Sequence, residues 1–414
     1  MITYHEALHK VLEEARVQGT TELPLQELLG YTLAEPVVAH FDLPSFDNSA
    51  VDGYGVHVQD LIKATPESPV QLKLDGEMRA GKVQDLERYR LAPQTAIKIL
   101  TGATVPPSAE AVVMREYCQE RDGDVFITEA VTAGENIRRK GGEVHAGTTI
   151  LNTGTKIDPA VLALIATVGS DRAVVYRKPR VAIVVTGDEL VPPGSNLQAG
   201  QIFDSNSFAL EAAVRCLGID QCKIFRAQDT LAQTSKAFKD ALAFADVIIS
   251  SGGVSVGDHD YVKPALEGLD VKTIFWRIAI KPGKPVYFGT HETTTGARKL
   301  VFGLPGNPVS VLITYHQFVK PALRKMMGES EVRAPLFYAK LKSAIHKKAG
   351  RLDFMRGKLE ATPAGGLYVT AVKGQDSHML TGLAAADCLL HFAADDEEMK
   401  ADATIPFQFL DWFD

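Results

Sequence analysis

Apolar residues first recur at helical spacing. Leu8, Val11, Leu12 and Ala15 fall on one stripe of residues 5–16, which predicts an amphipathic helix. From 41 to 143 the rhythm shortens to alternating or wholly apolar runs between breakers, notably 53–58, 111–114 and 124–127, and predicts a β-rich unit. Asp158 then supplies an N-cap, Pro159 sits at the first helical position and Gly169 lies just past the far end, so a helix is expected through Val168. Beyond the linker-like Arg177-Lys178-Pro179 the pattern changes again. Runs 181–185 and 247–250 are continuously apolar, as strands covered on both faces of a parallel sheet are. Stretches 208–217 and 231–244 read as crossover helices, 299–302 as a further strand, and Asn307-Pro308 as the start of a long helix toward Met327. Strand signals return after Gly328, at 337–341, 367–370 and 388–392.

The expected fold is therefore multidomain α/β plus β. A doubly wound α/β domain spans 178–327, a β-rich domain is inserted at 41–143, a compact β domain closes the chain at 328–414, and 1–40 with 144–177 form a further unit. The length of 414 residues supports this division, since a single core rarely serves so long a chain. Hydrophobic residues at 45% and charged residues at 23% mark a globular chain with ample core material. The longest nearly apolar stretch, 160–169, falls short of the ~18 residues of a membrane span, and the first residues lack a signal-peptide pattern, so the expectation is a cytoplasmic protein. A net charge of −7 argues against nonspecific nucleic-acid binding while leaving room for a local basic pocket. The four cysteines form no CxxC pair and are expected to be reduced. Residues 5–9 spell HExxH, but with no third ligand or partner motif they are read as part of the helix rather than a zinc site.

In an open α/β sheet, ligands bind beyond the carboxyl ends of the strands. The loops expected there are chemically distinctive. TGDEL (186–190) and SGGVSVGDHDY (251–261) combine glycines, which let backbone N–H groups approach an anion, with carboxylates suited to a magnesium ion beside phosphate. KPGKP (281–285) holds two lysines between prolines, a low-entropy clamp for a doubly charged anion, and GLPGNPVS (303–310) leads into a helix N-terminus. Alone, each loop could be a turn or a rigid connection; occurring together at successive strand ends they point to an anionic ligand with a divalent metal. Neither GxxxxGK[ST] nor a GxGxxG after the first strand is present, which disfavours P-loop and dinucleotide readings.

These loops, with FDNSAVDGY (46–54), TGA (101–103), AVVM (111–114) and NIRRKG (136–141), resemble the molybdopterin molybdenumtransferase family, which includes the gephyrin E domain. The resemblance covers 41–310 by motif and nearly the whole chain by domain rhythm, and it gives the central domain a molybdopterin-binding-like fold and the last one a barrel-like fold. It implies a magnesium-dependent transferase that takes adenylylated molybdopterin and molybdate, hydrolyses the adenylate, releases AMP and inserts molybdenum. It also implies a homodimer scaffolded by 1–40 and 144–177, whose cleft draws Asp52 and Thr101 from the inserted domain across the dimer; a molybdopterin adenylyltransferase and apo-molybdoenzymes would be its protein partners.

Carried over by motif, Asp188, Glu189, Asp229, Asp258 and Asp260 lie at the metal and pyrophosphate side, with Glu189, Asp258 and Asp260 as metal ligands and Glu189, Asp229 and Asp260 as the acid–base candidates. Asp188, Gly252, Gly253, Ser255, Pro305 and Pro308 would be cofactor-binding. Lys281 and Lys284, with Ser310, would hold molybdate, helped by Arg356 and Ser377 from the C-terminal domain. One departure is Lys140-Gly141-Gly142-Glu143, where the family reads Arg-Gly-Glu-Asp, so the roles of Arg138 and Glu143 stay open between ligand contact and a solvated turn. Two other readings compete. An adenylyltransferase would leave FDNSAVDGY and TGATVPP unexplained, and a noncatalytic scaffold would have no need of the lysine and carboxylate loops.

Overall fold

The computed structural model describes residues 1–81, 90–253, 261–363 and 365–412. They form two compact units, one comprising Met1–Glu35, Thr153–Pro159 and Arg172–Asp414, the other Pro36–Asn152 and Ala160–Asp171. Among the described residues no helix is long and apolar enough to cross a membrane.

The chain opens with helix α1 (Tyr4–Glu14), which buries Tyr4, Ala7, Leu8, Val11 and Leu12. Its HExxH glutamate is used locally: Glu6 and Thr3 form a capping box, while His9 pairs with Glu13 at 3.1 Å. The second unit is built on a six-stranded sheet. Strands β1 (Gly53–Val56), β2 (Val70–Met78), β3 (Thr95–Ile99), β4 (Ala111–Met114), β5 (Cys118–Arg121) and β6 (Asp124–Ile127) lie in the order β4-β1-β3-β2-β6-β5. Gly53 is obligatory here, because a Cβ would sit 1.9 Å from the Val113 carbonyl oxygen of the paired strand. The helix expected after Asp158 is α2 (Pro159–Thr167).

In the first unit, strands β7 (Val181–Thr186), β8 (Cys222–Ala227), β9 (Val247–Ser251), β10 (Lys272–Trp276), β11 (Tyr287–Glu292) and β12 (Arg298–Leu304) form a sheet in the order β8-β7-β9-β12-β11-β10. The first four are mutually parallel, and β11 runs antiparallel to both of its neighbours. Every residue of β7 and β9 is buried, which accounts for the apolar runs 181–185 and 247–249 within them. Helices α3 (Asn206–Cys216), α4 (Leu231–Phe244) and α5 (Val262–Glu267) connect the strands. Leu210, Ala213 and Val214 of α3 join the α1 stripe on one face of the sheet, while Ala237, Phe238 and Ala241 of α4 cover the other.

The long helix expected toward Met327 is interrupted. Between α6 (Pro308–Thr314) and α7 (Lys320–Met326), Tyr315–Val319 widens into a π turn whose side chains are all buried. There the Tyr4 hydroxyl donates to Gln317 Oε1 (2.8 Å) and Gln317 Nε2 donates to Gln408 Oε1 (2.9 Å). The bulge thus delivers a polar side chain between α1 and the C-terminal domain. That domain closes as a five-stranded barrel, β14-β15-β13-β17-β16 with β14 paired back to β16, where β13 is Phe337–Leu341, β14 Leu352–Ala361, β15 Leu367–Ala371, β16 Cys388–Phe392 and β17 Thr404–Phe409.

Two histidines are buried beside this network. Burial pushes His316 down to about 3 and His391 down to about 4, and the His391 Nε2 has no hydrogen-bond partner. A buried neutral imidazole resists a proton that the unfolded chain accepts near pH ~6.5, so the unfolded state binds more protons across that window and stability falls as pH drops from about 6.5 toward 4. Thermal melts of wild type and His391→Asn at pH 7.5 and 4.5 check this: the variant loses less melting temperature on acidification, and equal losses would remove His391 from the account.

Candidate functional site

The parallel order places β7 between β8 and β9, so the first crossover runs from β7 outward to β8 and the second returns from β8 past β7 to β9. A crevice opens at the carboxyl ends of the strands where the winding reverses. Four loops emerge there, after β7, β8, β9 and β12. At the first two, Asp188 and Asp229 are locked together reciprocally: the Asp188 N–H donates to Asp229 Oδ2 at 3.3 Å, and the Asp229 N–H to Asp188 Oδ1 at 3.2 Å. Glu189 turns back over Gly187, whose φ of +141° favours glycine and whose Cα faces the Glu189 carboxylate. Beside them the Asp204 carboxylate is buried. Burial opposes its charge, yet the Ser207 hydroxyl (2.5 Å), the Ser207 N–H (3.0 Å) and Arg226 (2.6 Å) hold it below the usual carboxylate range.

Gly252 and Gly253 follow β9 with φ of +93° and +66°. A Cβ on Gly253 would meet Val262 Cγ2 at 2.6 Å, so the chain turns against the start of α5 only as glycine. The loop after β12 approaches from the other side: a Cβ on Gly306 would stand 3.7 Å from Gly252 Cα. Asn206, the first residue of α3, ties the two loops, donating to Ser251 Oγ and to the Gly306 carbonyl at 2.8 Å each. Pro305 and Ser310 are buried and Pro308 is half-buried, Ser310 lying in the first turn of α6.

Loop 305–310 is in turn bound to the C-terminal domain. The Val309 N–H donates to the Ser377 carbonyl (3.1 Å) and Asn307 Nδ2 to Ser377 Oγ (2.8 Å). Arg356 anchors the Ser377 segment, its Nη2 donating to the carbonyls of Gly374 (2.6 Å) and Asp376 (3.3 Å). The Arg356 side chain is wholly buried, and its Nε and Nη1 have no acceptor. Burial lowers its proton affinity, with Asp376 acting the other way. Three residues upstream on β14, Asp353 stands in register with Lys281, 3.5 Å from its ammonium. The KPGKP loop bears on α6, since a Cβ on Gly283 would sit 2.4 Å from Thr314 Cγ2, and the exposed Lys284 closes the loop by accepting the Ile278 N–H at its carbonyl (3.0 Å).

Asp188, Glu189, Asp229, Gly252, Gly253, Pro305, Pro308, Ser310, Arg356, Ser377, Lys281 and Lys284 thus all lie in the first unit. Ser255, Asp258 and Asp260 lie outside the described residues. Among the described residues no group of three or more histidine, cysteine or carboxylate side chains is arranged to hold a metal. The Asp188 and Asp229 pair supplies two oxygen donors, a set that fits magnesium, which keeps waters and phosphate oxygens as its remaining ligands.

Asp52 and Thr101 belong to the second unit and meet each other there: the Thr101 N–H and hydroxyl both donate to Asp52 Oδ1 at 2.7 Å. These bonds, from the backbone first, hold the Asp52 carboxyl below its ordinary range, and Arg115 lies 3.9 Å from its other oxygen. Asp52 and Arg115, with Tyr54, Lys98 and Glu120, line a cavity of about 260 Å³. In the same unit Arg139 pairs with Asp47 at 2.7 Å and Lys140 with Asp42 at 3.7 Å, while Arg138 is exposed. Sequence reasoning missed Asn206, Asp204, Arg226, Arg115 and Asp353; of these, Asn206 alone carried a local signal, as a polar residue opening a crossover helix beside the crevice.

Arg356 gives a direct check. A buried guanidinium with two unmatched donors is suited to an anion and contributes little to folding. Arg356→Met is expected to weaken binding of a doubly charged oxyanion about tenfold to hundredfold while the melting temperature moves by less than about 4 °C. Calorimetric titration and a thermal melt measure the two, and loss of stability with unchanged binding would make Arg356 structural.

Three family models match the chain in order: the MoeA N-terminal region (domain I and II) over residues 2–169, a probable molybdopterin binding domain over 182–325, and the MoeA C-terminal region (domain IV) over 338–410. A molybdopterin molybdenumtransferase of Haemophilus influenzae is 36% identical, covering 99% of this chain and 100% of that protein. Molybdopterin molybdenumtransferase 2 of Mycobacterium tuberculosis is 37% identical, over 97% of this chain and 98% of its own. Among solved structures, a molybdopterin biosynthesis MoeA protein from Pyrococcus horikoshii superposes with a TM-score of 0.82 at 28% identity, over 99% of this chain and 100% of that one. With the crevice, its loops and all three regions in their expected order, the chain belongs to the MoeA, or molybdopterin molybdenumtransferase, family.

Proposed function

We propose that the chain is a molybdopterin molybdenumtransferase of molybdenum cofactor biosynthesis, taking adenylylated molybdopterin and molybdate, hydrolysing the adenylate and releasing AMP. The observation that carries this reading is that one unit holds two opposite chemistries, the Asp188 and Asp229 pair in the loops after β7 and β8, and Lys281 with the unsatisfied Arg356 where the 281–285 loop meets the barrel. Carboxylates suit the divalent ion that accompanies a pyrophosphate; cations suit the oxyanion.

In this reading Gly252 and Gly253 let backbone N–H groups come close to the substrate phosphate, and Glu189 or Asp229 orients the attacking water. Magnesium bound beside Asp188 and Asp229 would screen the charge of the phosphoanhydride. Lys281, Lys284 and Arg356 hold the oxyanion through charge-assisted hydrogen bonds. Asp258 and Asp260 join the metal side by their place in the motif. A cytoplasmic homodimer that receives substrate from an adenylyltransferase and passes product to apo-molybdoenzymes completes the proposal, with Asp52 and Thr101 serving the cleft of a second copy.

Purified protein given adenylylated molybdopterin, molybdate and magnesium is expected to release AMP and to activate an apo-molybdoenzyme, both outputs falling at least about 100-fold in Glu189→Gln and Lys281→Ala and on chelation of magnesium. Binding of substrate without either output would favour a noncatalytic scaffold. The homodimer has its own check: if sites are shared between copies, mixing inactive Asp52→Ala and Lys281→Ala proteins restores part of the activity, whereas a site confined to one chain gives none.

A further inference from the structure

A basic cleft of about 360 Å³ borders Lys281 and is lined by Lys281, His346, Lys347, Lys348, Arg351 and Asp353. Four permanent cations face one carboxylate, in a chain whose net charge is −7. The inner end is fixed by backbone pairing: Ile280-Lys281 runs parallel to Leu352-Asp353, and the buried Asp353 carboxylate steadies the Lys281 ammonium. The outer wall is built rather than floppy. Lys347 donates to the carbonyls of Arg351 (2.9 Å) and Ala394 (3.1 Å) and lies 5.1 Å from the Phe392 ring centre, which pins the turn that presents Lys348 and Arg351. Among the described residues neither Lys348 nor Arg351 forms an ion pair, though the Asp353 carboxylate is also drawn to Lys347 and Arg351. The acidic turn 395–398 flanks this wall, the Glu397 carbonyl accepting the Lys347 N–H (2.9 Å) and the Ala394 carbonyl the Gly350 N–H (2.8 Å), while Glu398 stands opposite His346 and is exposed.

Such a cleft concentrates anions, because cations of one sign in a concave wall focus the field and raise the local concentration of the opposite charge. No phenylalanine, tyrosine or tryptophan lines it, so it offers no platform for an adenine or a pterin ring. We propose that Lys347, Lys348 and Arg351 form an anion-collecting vestibule that captures the small, doubly charged tetrahedral oxyanion and passes it to Lys281. The inference rests on the reading of Lys281 as an oxyanion contact and adds where the oxyanion enters.

The test titrates the full-length protein with sodium molybdate by calorimetry at about 20 and 200 mM salt and measures KM for each substrate through AMP release. In Lys348→Gln/Arg351→Gln, Kd and KM for molybdate rise about five- to tenfold at low salt and their salt dependence flattens, the loss residing in KM rather than kcat. Lys348→Glu, a change at an exposed position that leaves packing alone, weakens molybdate binding further. Unchanged molybdate affinity and salt dependence in these variants, alongside lost binding in Lys281→Ala, would overturn the vestibule and leave the Lys281 reading standing. Wild-type binding by Lys281→Ala would remove that reading itself. A rise in KM confined to the adenylylated substrate would overturn the oxyanion assignment, showing that the cleft serves a phosphate group instead.

Discussion

The central sheet exists only if both of its faces are kept from water, and that requirement organises the first unit. Strands β7 and β9 bury every side chain, so helices must cover both sides: the chain crosses from β7 to β8 one way and from β8 back past β7 to β9 the other way. Each buried valine or isoleucine contributes about 1.5–3 kcal/mol, which makes a slip in this arrangement costly. A parallel sheet then delivers all its exit loops at one edge. The chemistry at that edge is therefore a consequence of covering the sheet: the residues after β7, β8, β9 and β12 are neighbours because the strands are.

Neighbouring loops must also come close enough to share a ligand, and here glycine and asparagine matter more than charge. Gly253 turns the chain against Val262 as only glycine can, and Asn206 bridges the loops after β9 and β12 through one amide nitrogen. The C-terminal barrel is brought to the edge by Ser377, which is bonded through both its carbonyl and its hydroxyl to loop 305–310. Arg356 organises the segment bearing Ser377 with one nitrogen and keeps two others unmatched. An unmatched buried cation is expensive to keep, so this is where the fold gives up stability at the site rather than in the core.

Much of this was legible in the sequence because it is local. Apolar runs 181–185 and 247–250 announced buried strands, Asp158-Pro159 and Gly169 bounded a helix, and the polar loops followed the strands they were assigned to. What escaped depends on partners far along the chain. The π turn at 315–319 breaks a helix that propensity alone would continue, and the bulge places Gln317 between Tyr4 and Gln408, each about ninety residues or more away. Asp353 and Lys281 become neighbours only when a two-residue strand pairs with the barrel. Asp204 reads as an ordinary turn carboxylate until Arg226, on the neighbouring strand, reaches it. The HExxH string shows the converse, a motif whose glutamate is fully explained by the cap three residues upstream.

The charged groups of the crevice loops show the same dependence on distant partners. The two aspartates take each other's backbone N–H groups, and Lys281 is turned to Asp353. These engagements are weak enough to exchange. A backbone N–H at 3.2–3.3 Å and an ion pair at 3.5 Å with a half-exposed lysine hold position without saturating either group. The carboxylate oxygens keep free lone pairs, and the ammonium keeps free protons. On the proposed reading, a metal at the carboxylates and an oxyanion at Lys281 would each meet a group already held in place by backbone pairing or backbone hydrogen bonds.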